Sequence, residues 1–277
     1  MGRLHVYKYQ GAGNDFVIVD NRRGEAGCLK PRLVNRLCDR RFGVGADGLM
    51  TLCAGTEADF DMHYYNADGL EGTMCGNGGR CLVAFAALMG LSHFEFTACD
   101  GLHRAELCSQ EGNRSVVRLR MRDVDPPVRL PDGWLLETGS THFVQWVKDL
   151  ASYDVPGEGR RLRWDARFPK GANVNFVEAS CDHLFVRTYE RGVEAETWAC
   201  GTGSTAAALA SYAKGEKCFV RFAENDAERI KFAIRTLGGE LAVDFIAEPD
   251  GFFRDVWLTG PATRVFETDI DLDRLFD

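Results

Sequence analysis

The chain has 277 residues, with 41 acidic against 33 basic side chains and a net charge of -8. That length suffices for two ordinary domains with buried cores, and the acidic balance argues against nucleic acid or an anionic membrane as the main partner, leaving a small-molecule ligand. The longest nearly unbroken apolar run, CLVAFAALMGL at 81–91, is too short to span a bilayer, and the start MGRLHVYKYQ lacks a secretory apolar stretch, so a cytoplasmic protein is expected.

In chain order, LHVYKYQ (4–10) and FVIVD (16–20) flank the turn signal GAGND and predict paired strands. PRLVNRLCDRRF predicts a helix ending at Gly43. The GVGADG that follows at 43–48 matches the dinucleotide glycine pattern literally, but it follows a helix where that fingerprint must follow a strand, so the match is rejected. FDMHYYN (60–66), SVVRLRM (115–121), HFVQWV (142–147), LFVRTYE (184–190) and ELAVDFI (240–246) mix β-branched and aromatic residues with partial alternation and predict strands. The proline-rich DVDPPVRLPDG at 123–133 predicts a linker between two halves. Ten cysteines in a cytoplasmic chain are expected as thiols. With no C-x-x-C pair and no H-E-x-x-H, neither a metal site nor a thioredoxin-like motif is supported.

The halves repeat around two of these cysteines. FDMHYYN leads to Glu71 and Cys75-Gly76-Asn77-Gly78, then an apolar stretch ending in glycine; LFVRTYE leads to Glu196 and Cys200-Gly201-Thr202-Gly203, then a small-residue stretch ending in glycine. Both corners fit E-x-x-x-C-G-x-G and predict a strand, a loop and the start of a buried helix with a glycine cap, which points to duplication with a pseudo-twofold relation. A thiol at a helix start lies near unsatisfied N–H groups that stabilise its thiolate, and the glycines leave those groups open to a carboxylate. Two such corners acting on opposite faces of one carbon would invert a stereocentre, which a single fixed base cannot do, and the helix starts would hold the developing charge without metal or pyridoxal phosphate. The bland alternative is that Cys75 and Cys200 only pack as small residues at tight helix starts.

GAGNDFVIVD, YYNADGLEGTMCGNGGRC, YERGVEAETWACGTG and GPAT resemble diaminopimelate epimerase, over residues 11–263. The resemblance implies an α+β fold of two pseudo-symmetric domains, each a mostly antiparallel strand barrel wrapped around a central helix, with the active site at their interface. Boundaries are expected at 1–125, completed by the tail 265–277, and at 126–264. It implies interconversion of LL- and meso-2,6-diaminopimelate, in lysine and peptidoglycan precursor synthesis, by two-base proton transfer with no cofactor. Diaminopimelate is the expected partner and a homodimer the candidate assembly.

By the same resemblance, Cys75 and Cys200 are the catalytic pair. The N–H groups of Gly76, Asn77, Gly201 and Thr202 hold the reacting carboxylate, Asn14, Asn66 and Asn173 bind substrate, and Glu190 with Arg191 takes the distal ammonium and carboxylate. Outside the resemblance, Asn14 in GAGND and Asn66 in NADG read as turn residues. Two positions depart from the family pattern: Gly139-Ser140-Thr141-His142 stands where many members have G-N-P-H, and Gly48 where some have glutamine. Ser140 is a shorter hydrogen-bonding substitute, Gly48 a backbone contributor at most, and His142 either an orienting group for one cysteine or a structural residue. A proline-racemase-type enzyme is the nearest rival, although its first corner usually has histidine at the place of Asn77. A thiol redox or ligand-binding protein is the alternative from another class.

Overall fold

A computed structural model describes residues 2–24, 27 and 29–276. The elements run β1 (Arg3–Gly11), β2 (Asn14–Asp20), α1 (Pro31–Cys38), β3 (Gly48–Ala54), β4 (Phe60–Asn66), α2 (Gly76–Leu88), β5 (Glu95–Ala98), β6 (Gly101–Glu111) and β7 (Arg114–Arg120). There follow β8 (Val128–Leu130), β9 (Gly133–Glu137), β10 (Thr141–Trp146), α3 (Val155–Arg163), β11 (Asn173–Ala179), β12 (Leu184–Glu190) and β13 (Ala195–Thr197). Last come α4 (Gly201–Lys214), β14 (Phe219–Glu224), β15 (Ala227–Thr236), β16 (Gly239–Ala247) and the long β17 (Phe253–Asp271). The chain divides into two compact units, Met1–Leu119 with Gly260–Asp277, and Arg120–Thr259. The sequence reading put these passages at 125/126 and 264/265.

In the first unit, consecutive strands pair from β1 to β7, and the second half of β17 pairs with both β7 and β1, so eight strands close a ring among the described residues. Only the β2–β3 and β4–β5 pairs are parallel. A parallel step needs a crossover; α1 supplies the first and α2 the second. Arg80 is the only charged side chain in α2, whose sequence is GNGGRCLVAFAAL, so no face of the helix is suited to water. It is buried from Asn77 to Ala86 and packs on β1, β2, β3 and β6, which places it inside the ring.

The second unit repeats this plan. Its sheet runs β8–β9–β10–β11–β12–β15–β16 and on to the first half of β17, with parallel steps at β10–β11 and β12–β15. The crossovers carry α3 and α4. α4 is buried through Ser211 and ends on Gly215, whose φ of 94° is the left-handed cap that glycine adopts without strain. The two units are thus α+β bodies of similar topology, each with mostly antiparallel strands and a buried central helix.

Two local readings are corrected. The helix predicted to reach Gly43 ends at Cys38, because the Asp39 carboxylate accepts the N–H groups of Arg41 and Phe42 and turns the chain out of the helix. Residues 123–133 are not a linker but part of the second unit: Val124 bridges to Phe253, and β8 pairs with β9 as a hairpin. Their prolines lie at and around the hairpin, where no ladder N–H is needed.

One charged group lies deep in the second unit. Arg229 on β15 donates to Asp244 on β16 and, at 2.5 Å, to Asp255 on β17, with Arg229 and Asp244 each only 2% exposed. Removing one partner strands the other's charge, so Arg229→Met is expected to lose about 3–5 kcal/mol of stability in denaturant titration.

Candidate active site

Both cysteines of the repeated corner are the N-cap residues of the central helices. Cys75 has φ -108° and ψ 124°, Cys200 φ -109° and ψ 116°, and each gives its carbonyl to the first helical hydrogen bond, from Gly79 and Ser204 respectively. In each unit the N–H groups of the next two residues therefore start a helix without an intrahelical acceptor. Glycine is needed at 203, where a Cβ would come within 2.3 Å of the Asn175 amide oxygen.

Around Cys75 the first unit gathers Asn14 and Asn77, while Gly48 and Asn66 face each other across β3 and β4. Asn14 opens β2, Gly48 opens β3, and Asn66 ends β4 directly opposite Gly48 in register. Gly48 has no room for a side chain, since a Cβ there would lie 2.5 Å from the Tyr64 ring. The Asn14 amide oxygen lies 3.6 Å from the Cys75 sulfur and 3.4 Å from the Asn77 amide nitrogen, while its own nitrogen donates to Asp47 at 2.6 Å. Asp47 in turn accepts from Arg40, which also grips Asp15. Asn66 is exposed and sits at a tight turn, its backbone carbonyl accepting the N–H of Gly69. Its position fits the turn reading.

Around Cys200 the second unit gathers Ser140, His142, Asn173, Glu190, Arg191 and Thr202. Burial, with the Glu190 carboxylate hydrogen-bonded beside it, pushes the Cys200 thiol well above the usual thiol range, against the Thr202 hydroxyl and the Gly203 N–H. Cys200 therefore carries its proton at neutral pH. The Thr202 hydroxyl lies 3.5 Å from the Cys200 sulfur and 3.0 Å from His142 Nε2, which also meets Ser140 Oγ at 3.0 Å. The Asn173 amide is committed within the unit: its nitrogen donates to Ser140 Oγ and its oxygen accepts the Arg191 N–H. The Arg191 guanidinium is half-buried and donates to the Lys170 carbonyl, with no carboxylate partner among the described residues.

His142 is fully buried, and desolvation holds its imidazole down at about 3. Asn175 fixes its tautomer. That amide oxygen accepts from Thr188, so its nitrogen faces His142 Nδ1 at 3.0 Å and leaves the ring proton on Nε2, toward Thr202 and Ser140. Long-range ¹⁵N spectra are expected to show an Nε2–H imidazole that does not titrate between about pH 5 and 8. The unfolded chain binds a proton near pH 6.5 that the folded one refuses. This group's contribution to stability is therefore full above about 6.5 and falls as pH drops toward 3.

Sequence reasoning did not single out Asp47, Arg80, Thr138, Asn175 or the Thr202 hydroxyl. Thr138 anchors the second corner by donating to the Thr202 carbonyl at 2.9 Å. None lies in the E-x-x-x-C-G-x-G pattern except Thr202, at its variable position. Nor do the two repeated glutamates share a role: Glu71 is exposed beside His63, whereas Glu196 is paired to Arg187.

The family model for diaminopimelate epimerase matches residues 6–123 and 134–265. The chain is 43% identical over 272 residues to the diaminopimelate epimerase of Flavobacterium psychrophilum, covering 96% of this chain and all of that one. It is 41% identical over 276 residues to that of Chlorobaculum tepidum, covering 95% and 99%. Among solved structures, a PhzF-family phenazine biosynthesis protein of Bacillus anthracis superposes with a TM-score of 0.73 at 15% identity, covering 98% of this chain and 100% of that one. A probable proline racemase of Agrobacterium radiobacter K84 gives 0.66 at 16%, covering 98% and 93%. Those two share the fold. With the family model spanning both units and both cysteine corners, the chain belongs to the diaminopimelate epimerase family.

Proposed function

We propose that this chain interconverts LL- and meso-2,6-diaminopimelate, with Cys75 and Cys200 as the two acid–base groups, one for each face of the α-carbon. The observation that carries this reading is that each thiol is the N-cap of a buried central helix, in a chain of this family. The N–H groups of Gly76, Asn77, Gly201 and Thr202 receive the α-carboxylate, and the helix starts favour the charge that develops on it as the α-proton leaves. Asn14 and Asn66 orient the substrate at the first corner. Asn173 acts through Ser140 and Arg191, whose positions it holds by hydrogen bonds. Arg191 takes the distal carboxylate and Glu190 the distal ammonium, while Glu190 also accepts a hydrogen bond from the Cys200 thiol.

No cofactor enters this scheme. Reduced thiols suit the cytoplasm as the compartment, and no helix among the described residues is long and apolar enough to cross a membrane. A homodimer is the proposed assembly, to be checked by light scattering.

The test is to incubate the protein, stripped of metal and pyridoxal phosphate, with LL-diaminopimelate in deuterated water. Meso product with one deuterium at the inverted carbon is expected. Inversion without solvent deuterium, or no inversion at all, would refute the reading. Proline inverted in place of diaminopimelate would favour the racemase alternative.

A further inference from the structure

Arg80 is the least exposed charged group among the described residues of the first unit, at 0%. Its Nη1 donates to the Gly76 carbonyl at 3.2 Å and its Nη2 to the Asn77 amide oxygen at 2.9 Å, while its Nε has no hydrogen-bond partner. Burial disfavours its charge, and among the described residues the only acidic groups near enough to compensate are the thiols of Cys75 and Cys81. A guanidinium stays protonated even there, so the site holds a cation with no carboxylate. Taken as packing alone, that costs stability that an apolar side chain would not.

The two thiols are not equal candidates for the compensating charge. Cys81 is wholly enclosed, and burial pushes it up to about 12, so it stays neutral. Tyr9 of β1, the titratable neighbour facing it from another element, is likewise raised by burial. β3 brings the neutral Met50 against the helix start, and β2 brings Asn14, with the Asp47 carboxylate behind it. Cys75 is half-buried at the helix N-cap and is the thiol left to carry a negative charge.

We infer that Arg80 is a positioning residue for the first corner, a buried counter-charge that sustains the Cys75 thiolate and locks the Asn77 amide beside it. The inference rests on Cys75 being an acid–base group of the proposed reaction. Its neighbours pull in opposite senses. The Asn14 oxygen, aimed by Asp47, accepts a hydrogen bond and favours the thiol; Arg80 favours the thiolate. A group that must give and take the same proton is suited by that balance.

The second corner shows what the first would be without this cation. The position equivalent to Arg80, five residues beyond the cysteine, is Thr205, whose hydroxyl donates to the Gly201 carbonyl at 3.0 Å just as Arg80 does to Gly76. The same carbonyl is satisfied by a neutral group, and the nearest charge to Cys200 is the Glu190 carboxylate. One corner thus holds its cysteine by a cation and the other by an anion, so the resting pair is one thiolate and one thiol.

The test is the pH dependence of iodoacetamide alkylation at Cys75, read by mass spectrometry of its peptide in the folded, full-length protein. In the wild type the midpoint is expected below the ordinary thiol value of about 8.5; a midpoint at or above that value would overturn the inference whether or not any variant folds. Arg80→Met, with folding checked by circular dichroism, is expected to raise the midpoint by at least about one unit, and Arg80→Lys to restore most of it. An unchanged midpoint in folded Arg80→Met would overturn the assignment, as would a Lys variant no better than Met. The alkylation readout needs no turnover. Failure of the deuterium assay with these shifts intact would sink the proposed reaction and leave the role of Arg80 standing.

Discussion

Alanine at either Cys75 or Cys200 is expected to abolish epimerisation, a loss of roughly 10²–10⁴-fold or more, the range of a positioned acid–base group. Inversion needs a base on one face and an acid on the other, so neither corner substitutes for its copy. Serine is expected to behave differently from alanine. With Cys200→Ser, Cys75 can still exchange the proton on its own face, so deuterium should enter one stereoisomer faster than the epimer accumulates. The measurement is wash-in against product formation by NMR. Serine at the exposed Cys99, Cys108 or Cys181 should leave both rates intact. Full turnover by Cys75→Ala would end the two-base reading.

Arg191→Met is expected to lower kcat/KM for LL-diaminopimelate by about 10- to 150-fold, the worth of one charged hydrogen-bonding contact of roughly 1.5–3 kcal/mol. The guanidinium is half-buried, its backbone N–H is fixed by Asn173, and no carboxylate pairs with it among the described residues. A distal carboxylate fits that place. Binding energy at a part of the substrate where no bond breaks can still orient the reacting centre, so turnover should fall along with affinity. L-lysine, which keeps a distal amine but lacks the carboxylate, is expected to be a very poor substrate of the wild type. The preference for diaminopimelate over lysine should shrink in Arg191→Met. Equal specificity constants for the two substrates in the wild type would remove the distal role of Arg191 and point to a broader racemase.

The amino-acid sequence alone determined the local units. Alternation in FDMHYYN and LFVRTYE, and uniformly apolar or small stretches after C-G-x-G, specify a strand, a corner and a buried helix, because each depends on residues a few positions apart. The cysteines at the helix starts were legible for the same reason, since an N-cap is a short-range feature. Proline content, by contrast, suggested a linker where a hairpin of the second unit lies, because proline marks a turn without saying whether that turn is packed.

Only the tertiary structure decided the rest. The first ring closes when β17, from the end of the chain, pairs with β1 from its start, and no local pattern encodes that register. Asn14 is aimed by Asp47 and the His142 tautomer is set by Asn175, each across 33 positions of sequence. Arg80 belongs to both levels. Its place in the helix was plain from GNGGRC, but a lone arginine in a helix is ordinarily a solvated residue. It becomes a counter-charge for Cys75 only because the strands around α2 exclude water and, among the described residues, every carboxylate from its side chain, leaving the Cys75 thiol to answer its charge.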